Sequence, residues 1–217
     1  MFQYQPPPHT GLDLIYCDEA MIVVGKPAGL LSVPGRGEDK ADCLASRVQA
    51  EYADARIVHR LDMDTSGLLV LARGAEMHRR LSIGFQEREV DKRYLAVVSG
   101  KLSTSAGEIA LPLMFDWPNR PLHKVDFESG KPALTRYSVL AYDAATDSSR
   151  VELEPVTGRT HQLRVHLSAL GHPILGDALY GGEARSRAGR LLLHARLLRL
   201  HHPLSRQPME FHCAAPF

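Results

Sequence analysis

The 217-residue sequence has only three cysteines, Cys17, Cys43 and Cys213, far apart and odd in number. None belongs to a Cys-x-x-Cys pair. That excludes a disulfide framework and predicts free buried thiols in a reducing cytosol. No apolar run approaches the roughly 20 residues that cross a bilayer. The start, MFQYQPPPHTG, lacks the cationic stretch and apolar core of a signal peptide. Gly-x-x-x-x-Gly-Lys-[Ser/Thr], Gly-x-Gly-x-x-Gly and the Gly-x-Ser-x-Gly elbow are all absent, so the phosphate loops and serine nucleophile they carry are not expected. Eleven histidines invite a metal, but there is no His-Glu-x-x-His. His161 and His166 are five apart, which does not share a helix face, and His201 and His202 are adjacent and point apart. The expectation is no metal and no cofactor.

Acid is missing from one region. Residues 185–206 hold six arginines (Arg185, Arg187, Arg190, Arg196, Arg199 and Arg206) and no Asp or Glu, within a chain of net charge +1. Such a strip suits a polyanion, because each guanidinium offers a two-donor fork to phosphate. It equally suits a solvated face.

The remaining composition, 44% hydrophobic and 24% charged, is that of an ordinary globular chain with enough apolar content for a core. Residues 1–11, with Pro6, Pro7 and Pro8, read as a flexible leader, and 12–217 as one domain. LDLIYCDEAMIVVGKP reads as two strands around an Asp-Glu turn. Helical spacing marks Cys43–Tyr52 and Glu76–Arg88, and Lys92–Val98 reads as a strand. Short β-like runs cut by prolines fill 107–142, and RVELE (150–154) alternates like a strand. A helix with Thr160 near its start stops at Gly171, and LLLHARLLRL returns to β character. The expected class is α+β, a mixed, mainly antiparallel sheet with flanking helices.

Between the apolar pairs Ile57-Val58 and Leu68-Leu69 stands HRLDMDTSG, His59–Gly67. Asp64, Thr65, Ser66 and Gly67 suffice for a turn; His59, Arg60 and Asp62 are not needed for one. Asp64-Thr65-Ser66-Gly67 superficially matches the Asp-Thr-Gly of aspartic proteases, which need two such aspartates sharing a proton. A single copy demands a homodimer, and the cations beside it oppose the shared proton.

The nonamer resembles the signature His-Arg-Leu-Asp-x-x-Thr-Ser-Gly of the RluA-type pseudouridine synthases. KPAGLLSVPGR (Lys26–Arg36), KRYLA (Lys92–Ala96), GRTHQLRVHLSALGHPILGD (Gly158–Asp177) and RLLLHA (Arg190–Ala195) are similar to that family's other blocks, in its order. DWPNRP (Asp116–Pro121) with GKPA-x-T-x-Y (Gly130–Tyr137) is closer to its dual-specificity branch, which acts on 23S ribosomal RNA and on transfer RNA. The resemblance runs from about residue 12 to the end. The S4 RNA-binding domain of several members is not expected before it.

The resemblance implies a cytoplasmic, monomeric RNA pseudouridine synthase with the family's α+β catalytic fold. Its reaction breaks the N-glycosidic bond of a uridine, rotates the uracil and rejoins C5 to C1′, with no redox step and no cofactor. It needs an ionised carboxylate, as nucleophile or as base on the sugar. By the match this is Asp62, with Asp64 at a variable position as a turn residue. The match assigns Arg164 as the cation that keeps Asp62 charged, Tyr94 as the aromatic lying against the uracil, and Arg60 as the side chain entering the RNA stack where the base leaves. Leu61, between Arg60 and Asp62, is expected to alternate with them on a strand, so that Arg60 and Asp62 share a face and Leu61 enters the core. A non-catalytic RNA-binding protein of the same fold is the alternative.

Overall fold

A computed structural model describes residues 4–217. The chain falls into two compact units, residues 1–92 with 195–216, and 93–194 with Phe217. Their elements are strands paired mainly antiparallel with helices packed on them, the α+β class that the spacing predicts.

In the first unit β1 (Asp13–Cys17) and β2 (Met21–Lys26) form the expected hairpin, and β2 pairs antiparallel along β4 (Ser66–Arg73) from Met21↔Ala72 to Lys26↔Gly67. The short β3 (Ala55–Ile57) pairs with the far end of β4, and β12 (Pro208–His212) pairs with β11 (Leu193–His201). Every residue of β2 is buried, and so is β4 up to Ala72. Their unbroken Ile, Val and Leu runs are what a strand covered on both faces requires. One cover is α2 (Gly74–Gln86), which turns Met77, Leu81 and Phe85 into the same apolar cluster as Val23 and Val70. Those residues recur at four-residue steps and so form one helix stripe.

Helix α1 (Leu44–Glu51) starts at Cys43, whose Sγ accepts from Ser46 N while the Ser46 hydroxyl accepts from Cys43 N. Of the three thiols only Cys43 is fully buried; Cys17 and Cys213 are half-buried. Among the described residues of the leader, Tyr4 is buried, and its hydroxyl donates to Asp42 O and accepts from Leu31 N, each at 3.0 Å. Pro7 O accepts from Arg47 at 2.6 Å. The leader is therefore anchored at both residues, Tyr4 to the loop before α1 and Pro7 to Arg47 of α1, an outcome its three prolines do not encode.

The chain enters the second unit within β5 (Asp91–Ser99) and leaves it within β11. There β5, β10 (Ser148–Pro155), β9 (Thr135–Asp143) and β6 (Ala106–Ile109) lie side by side, antiparallel, and β7 (Leu113–Phe115) pairs with β8 (His123–Val125). Against Ala96, Val98, Val151 and Leu153 packs α3 (Gln162–Ala169), through Leu163 and Leu167. Gly171, at φ +87°, ends the turn after α3, a left-handed position that glycine occupies without strain.

Helix α3 is buried from Gln162 to Leu167 although Gln162, Arg164 and His166 are polar. Each is therefore obliged to find partners. The Gln162 amide accepts from Thr157 Oγ1 and Arg159 N and donates to Leu134 O. His166 meets Thr135 Oγ1 at 2.9 Å and Leu111 O at 3.0 Å. Burial pushes the pKa of His166 down, against its hydrogen bond to Leu111 O, so the ring is a neutral tie between β9 and the loop before β7. No helix among the described residues is long and apolar enough to cross a membrane.

Candidate active site

The segment carrying Arg60 and Asp62 is not a strand: β3 ends at Ile57 and β4 begins at Ser66, leaving 58–65 irregular. The alternation survives for another reason. The Ser32 hydroxyl donates to Leu61 O at 2.7 Å and accepts from Leu61 N at 3.1 Å, fixing that peptide on both sides. Leu61 is thereby buried, while Arg60 is exposed and Asp62 half-buried. One residue further on, the wholly buried Lys26 ammonium donates to Met63 O at 2.8 Å, and also to Leu30 O and Pro27 O. Gly29 N donates to the same Met63 carbonyl at 2.9 Å, and Thr65 N closes the turn on Asp62 O. The block KPAGLLSVPGR is thus the cradle of the HRLDMDTSG loop, and Lys26 and Ser32 are its working residues. Sequence reasoning marked the block but not these two side chains.

Gly67 shows why this loop ends in glycine. Its φ is +112°, and a Cβ there would lie 2.3 Å from Ala195 O and 2.6 Å from Ala195 N, both backbone atoms. Only a residue without a side chain lets β4 begin so close to β11.

His59 is structural. Its Nε2 accepts from Val70 N at 3.1 Å, and its ring stacks on Phe85 at 4.5 Å. Burial, with the Lys92 ammonium adding to it, pushes its pKa down to about 3. A neutral ring with the proton on Nδ1 satisfies both observations. His202 also ties elements together, joining the β11–β12 connection to the β1–β2 turn through Asp18 Oδ2 at 2.7 Å, whereas its neighbour His201 is exposed.

Arg60 and Asp62 belong to the first unit, Tyr94 and Arg164 to the second. Tyr94 lies on β5 opposite Leu153 of β10, half-buried against the apolar cluster of its unit. Arg164 is buried and donates from Nε and Nη2 to the two oxygens of Asp177, at 2.8 and 2.7 Å. Burial pushes the Asp177 carboxyl up, but Arg164 and the N–H groups of Leu179 and Tyr180 outweigh it, leaving the pKa lowered. Asp177 escaped sequence reasoning although it closes the block GRTHQLRVHLSALGHPILGD; its only signal was its place at the end of that block.

Two arginines of the strip are tied to their own units. Arg187 donates to Ser99 Oγ, Thr146 O and Asp147 O, and Arg199 pairs with Glu210 and Asp91. Both are committed to holding turns and strands. Among the described residues no group of three or more His, Cys, Asp or Glu is placed to hold a metal ion.

The pattern of the RNA pseudouridylate synthase family matches residues 20–169, which include Arg60, Asp62, Tyr94 and Arg164. A protein of Escherichia coli (strain K12), the dual-specificity RNA pseudouridine synthase RluA, is 51% identical over 218 residues, covering 100% of this chain and 99% of its own. The Yersinia pestis protein of the same name is 50% identical, over 94% of this chain and 99% of its own. Among solved structures, human RNA pseudouridylate synthase domain containing 1 superposes with a TM-score of 0.79 at 33% identity, over 98% of this chain and 87% of that one. The chain belongs to the RNA pseudouridylate synthase family.

Proposed function

We propose that this protein isomerises uridine to pseudouridine in 23S ribosomal RNA, in the anticodon stem-loop of transfer RNA, or in both, through the Asp62 carboxylate. The Escherichia coli and Yersinia pestis relatives are named dual-specificity enzymes, and the first aligns over 100% of this chain; the RNA classes are those that the sequence resemblance implies. The observation that carries the site is the pinned loop. Asp62 sits half-buried between the exposed Arg60 and a turn held by Lys26 and Ser32, so a carboxylate is offered from a rigid support rather than a mobile hairpin. Asp62 acts at the sugar, as nucleophile or base; the glycosidic bond breaks, the uracil turns, C5 joins C1′, and the C5 proton leaves while N1 gains one. By the family match, Arg164 is the cation that keeps the carboxylate ionised. The Tyr94 ring lies against the uracil, and its hydroxyl assists removal of the C5 proton. Arg60 fills the stack that the uridine leaves.

A second feature of the second unit suits RNA. Trp117 is 67% exposed, with the Arg120 guanidinium 5.7 Å from its ring centroid, in the connection between β7 and β8. An aromatic face in water beside a guanidinium is a platform for an unpaired base. The catalytic domain takes in everything from residue 12 onward and works as a monomer in the cytoplasm without metal or cofactor.

The test is Asp62→Asn against Asp64→Asn on a stem-loop substrate. Asp62→Asn should bind RNA and form no pseudouridine, and Asp64→Asn should keep most of the activity. The reverse pattern would remove Asp62 from the reaction, and two inactive proteins that still bind RNA would favour the non-catalytic alternative.

A further inference from the structure

Trp117 and Arg120 stand on a connection that its own strands cannot hold still. β7 and β8 have three residues each, and so short a two-stranded ribbon is barely stable alone. What fixes it is α3 and the segment that follows. Leu113 of β7 packs with Val165 of α3, and Val125 of β8 and the Tyr180 ring join the same cluster. At the end of the ribbon that carries the connection, Phe115 and His123 face each other. There the Tyr180 hydroxyl accepts from His123 N at 2.9 Å and shares a 2.6 Å hydrogen bond with His161 Nδ1. His161 stands immediately before α3, at φ +56°. One phenol therefore ties β8 to the start of α3. From this tie, edge-on rings run outward: His161 with His123 at 5.1 Å, His123 with Phe115 at 5.1 Å, and Phe115 with Trp117 at 4.9 Å. Edge-to-face contacts set ring angle as well as distance, so the indole of Trp117 is held at a fixed tilt while remaining 67% exposed.

We propose that the β7–β8 hairpin reads one unpaired nucleotide of the substrate RNA, and that Tyr180 is its positioning residue, holding Trp117 where that base stacks. The proposal rests on the reading above in which Trp117 and Arg120 meet RNA; it does not depend on the assignment of Asp62. A ring that is already in place stacks on an arriving base at once. A hairpin that samples other positions must first be ordered, and the cost of ordering it is subtracted from the affinity. The recognition is of a loop rather than of a particular base. Every base has a π-face for the indole, and a guanidinium beside it suits the phosphate of the same nucleotide. In a paired stem those faces are already stacked, so a duplex offers the platform nothing.

The experiment compares the full chain with Trp117→Ala, Tyr180→Phe and the double variant. Binding is measured to a stem-loop RNA that the parent modifies and to a blunt duplex of the same stem. Circular dichroism checks folding, and amide hydrogen exchange follows the hairpin. Trp117→Ala should weaken stem-loop binding about tenfold, as for one lost base–aromatic stack, and duplex binding by less than about twofold, since phosphate contacts dominate there. Tyr180→Phe keeps the ring and loses only the hydroxyl. It should weaken stem-loop binding roughly three- to tenfold, as for one lost hydrogen bond, spare the duplex, and speed exchange of the His123 amide. The double variant should bind no worse than Trp117→Ala, because a platform that is absent cannot be misplaced. Parental affinity in Tyr180→Phe, equal weakening on stem-loop and duplex, or losses that add in the double variant would each overturn the positioning role. The two readings separate cleanly. Parental affinity in Trp117→Ala ends the RNA platform itself, whereas a weak Trp117→Ala beside a parental Tyr180→Phe ends only the role of Tyr180. Should Tyr180→Phe not fold, the parent decides: its His123 amide should exchange as slowly as the paired amides of β9, and exchange at the rate of an open loop overturns the proposal.

Discussion

Lowering the pH should destabilise the first unit through His59, and the size of the loss follows from its surroundings. The ring is neutral in the folded state, where Nε2 must accept from Val70 N, and its pKa lies at about 3 against 6.5 for an ordinary histidine. A depressed folded pKa means that the unfolded chain takes up the proton first. The contribution is complete above pH 6.5 and is lost as pH falls from there toward 3. Each pH unit in that window is worth about 1.4 kcal/mol, so the descent to pH 4.5 removes just under 3 kcal/mol. Residual contact of His59 with solvent screens part of that, bringing the expected loss to about 2 kcal/mol. His59→Gln supplies the control, because its amide oxygen can accept from Val70 N without titrating. Urea unfolding followed by far-ultraviolet circular dichroism at pH 7 and 4.5 should show the parent losing about 2 kcal/mol more than the variant. Equal losses would refute the neutral His59.

Gly67→Ala should cost about 3 kcal/mol or more in urea unfolding, since a left-handed φ and a backbone clash with Ala195 act together; a loss under 1 kcal/mol would show that β4 and β11 separate freely at this point. Arg60→Ala should slow reaction on a structured stem-loop much more than on a flexible single strand of the same sequence. Only the former must unstack its uridine, at a cost of roughly a few kcal/mol; equal losses in kcat/KM would end the flipping role. Tyr94→Phe should bind RNA as the parent does and turn over far more slowly, and an unchanged rate would leave Tyr94 a packing role. Turnover should survive exhaustive chelation with the RNA shown to stay folded, and recovery only on adding a divalent metal would contradict a metal-free reaction.

Much of the fold was legible because period and punctuation agreed. The alternation of RVELE lies inside β10, the four-residue stripe of Met77, Leu81 and Phe85 became α2, and Gly171 stopped α3 where its left-handed φ allows. The strand expected through Arg60, Leu61 and Asp62 did not form, because two hydrogen bonds from the distant Ser32 hold the Leu61 peptide instead of a neighbouring strand. Local pattern cannot register a partner 29 residues away. The partners of Arg199 were illegible for a related reason: Glu210 and Asp91, which engage it, lie outside the arginine strip in sequence.

The sequence by itself determined the α+β class, the extent of the main helices and strands, and the motif that marks Asp62, Arg60, Tyr94 and Arg164. These depend on side-chain period, turn chemistry and residue order, all of which are local or linear. Only the tertiary structure decided what each side chain is tied to. It showed that Lys26 and Ser32 hold the Asp62 loop, that His59 is a neutral acceptor for Val70 N, and that Arg164 is clamped edge-on by Asp177 and face-on by Tyr180. A buried polar group takes whichever partner the packing brings within about 3 Å. That choice is made in space, between residues whose separation along the chain carries no signal.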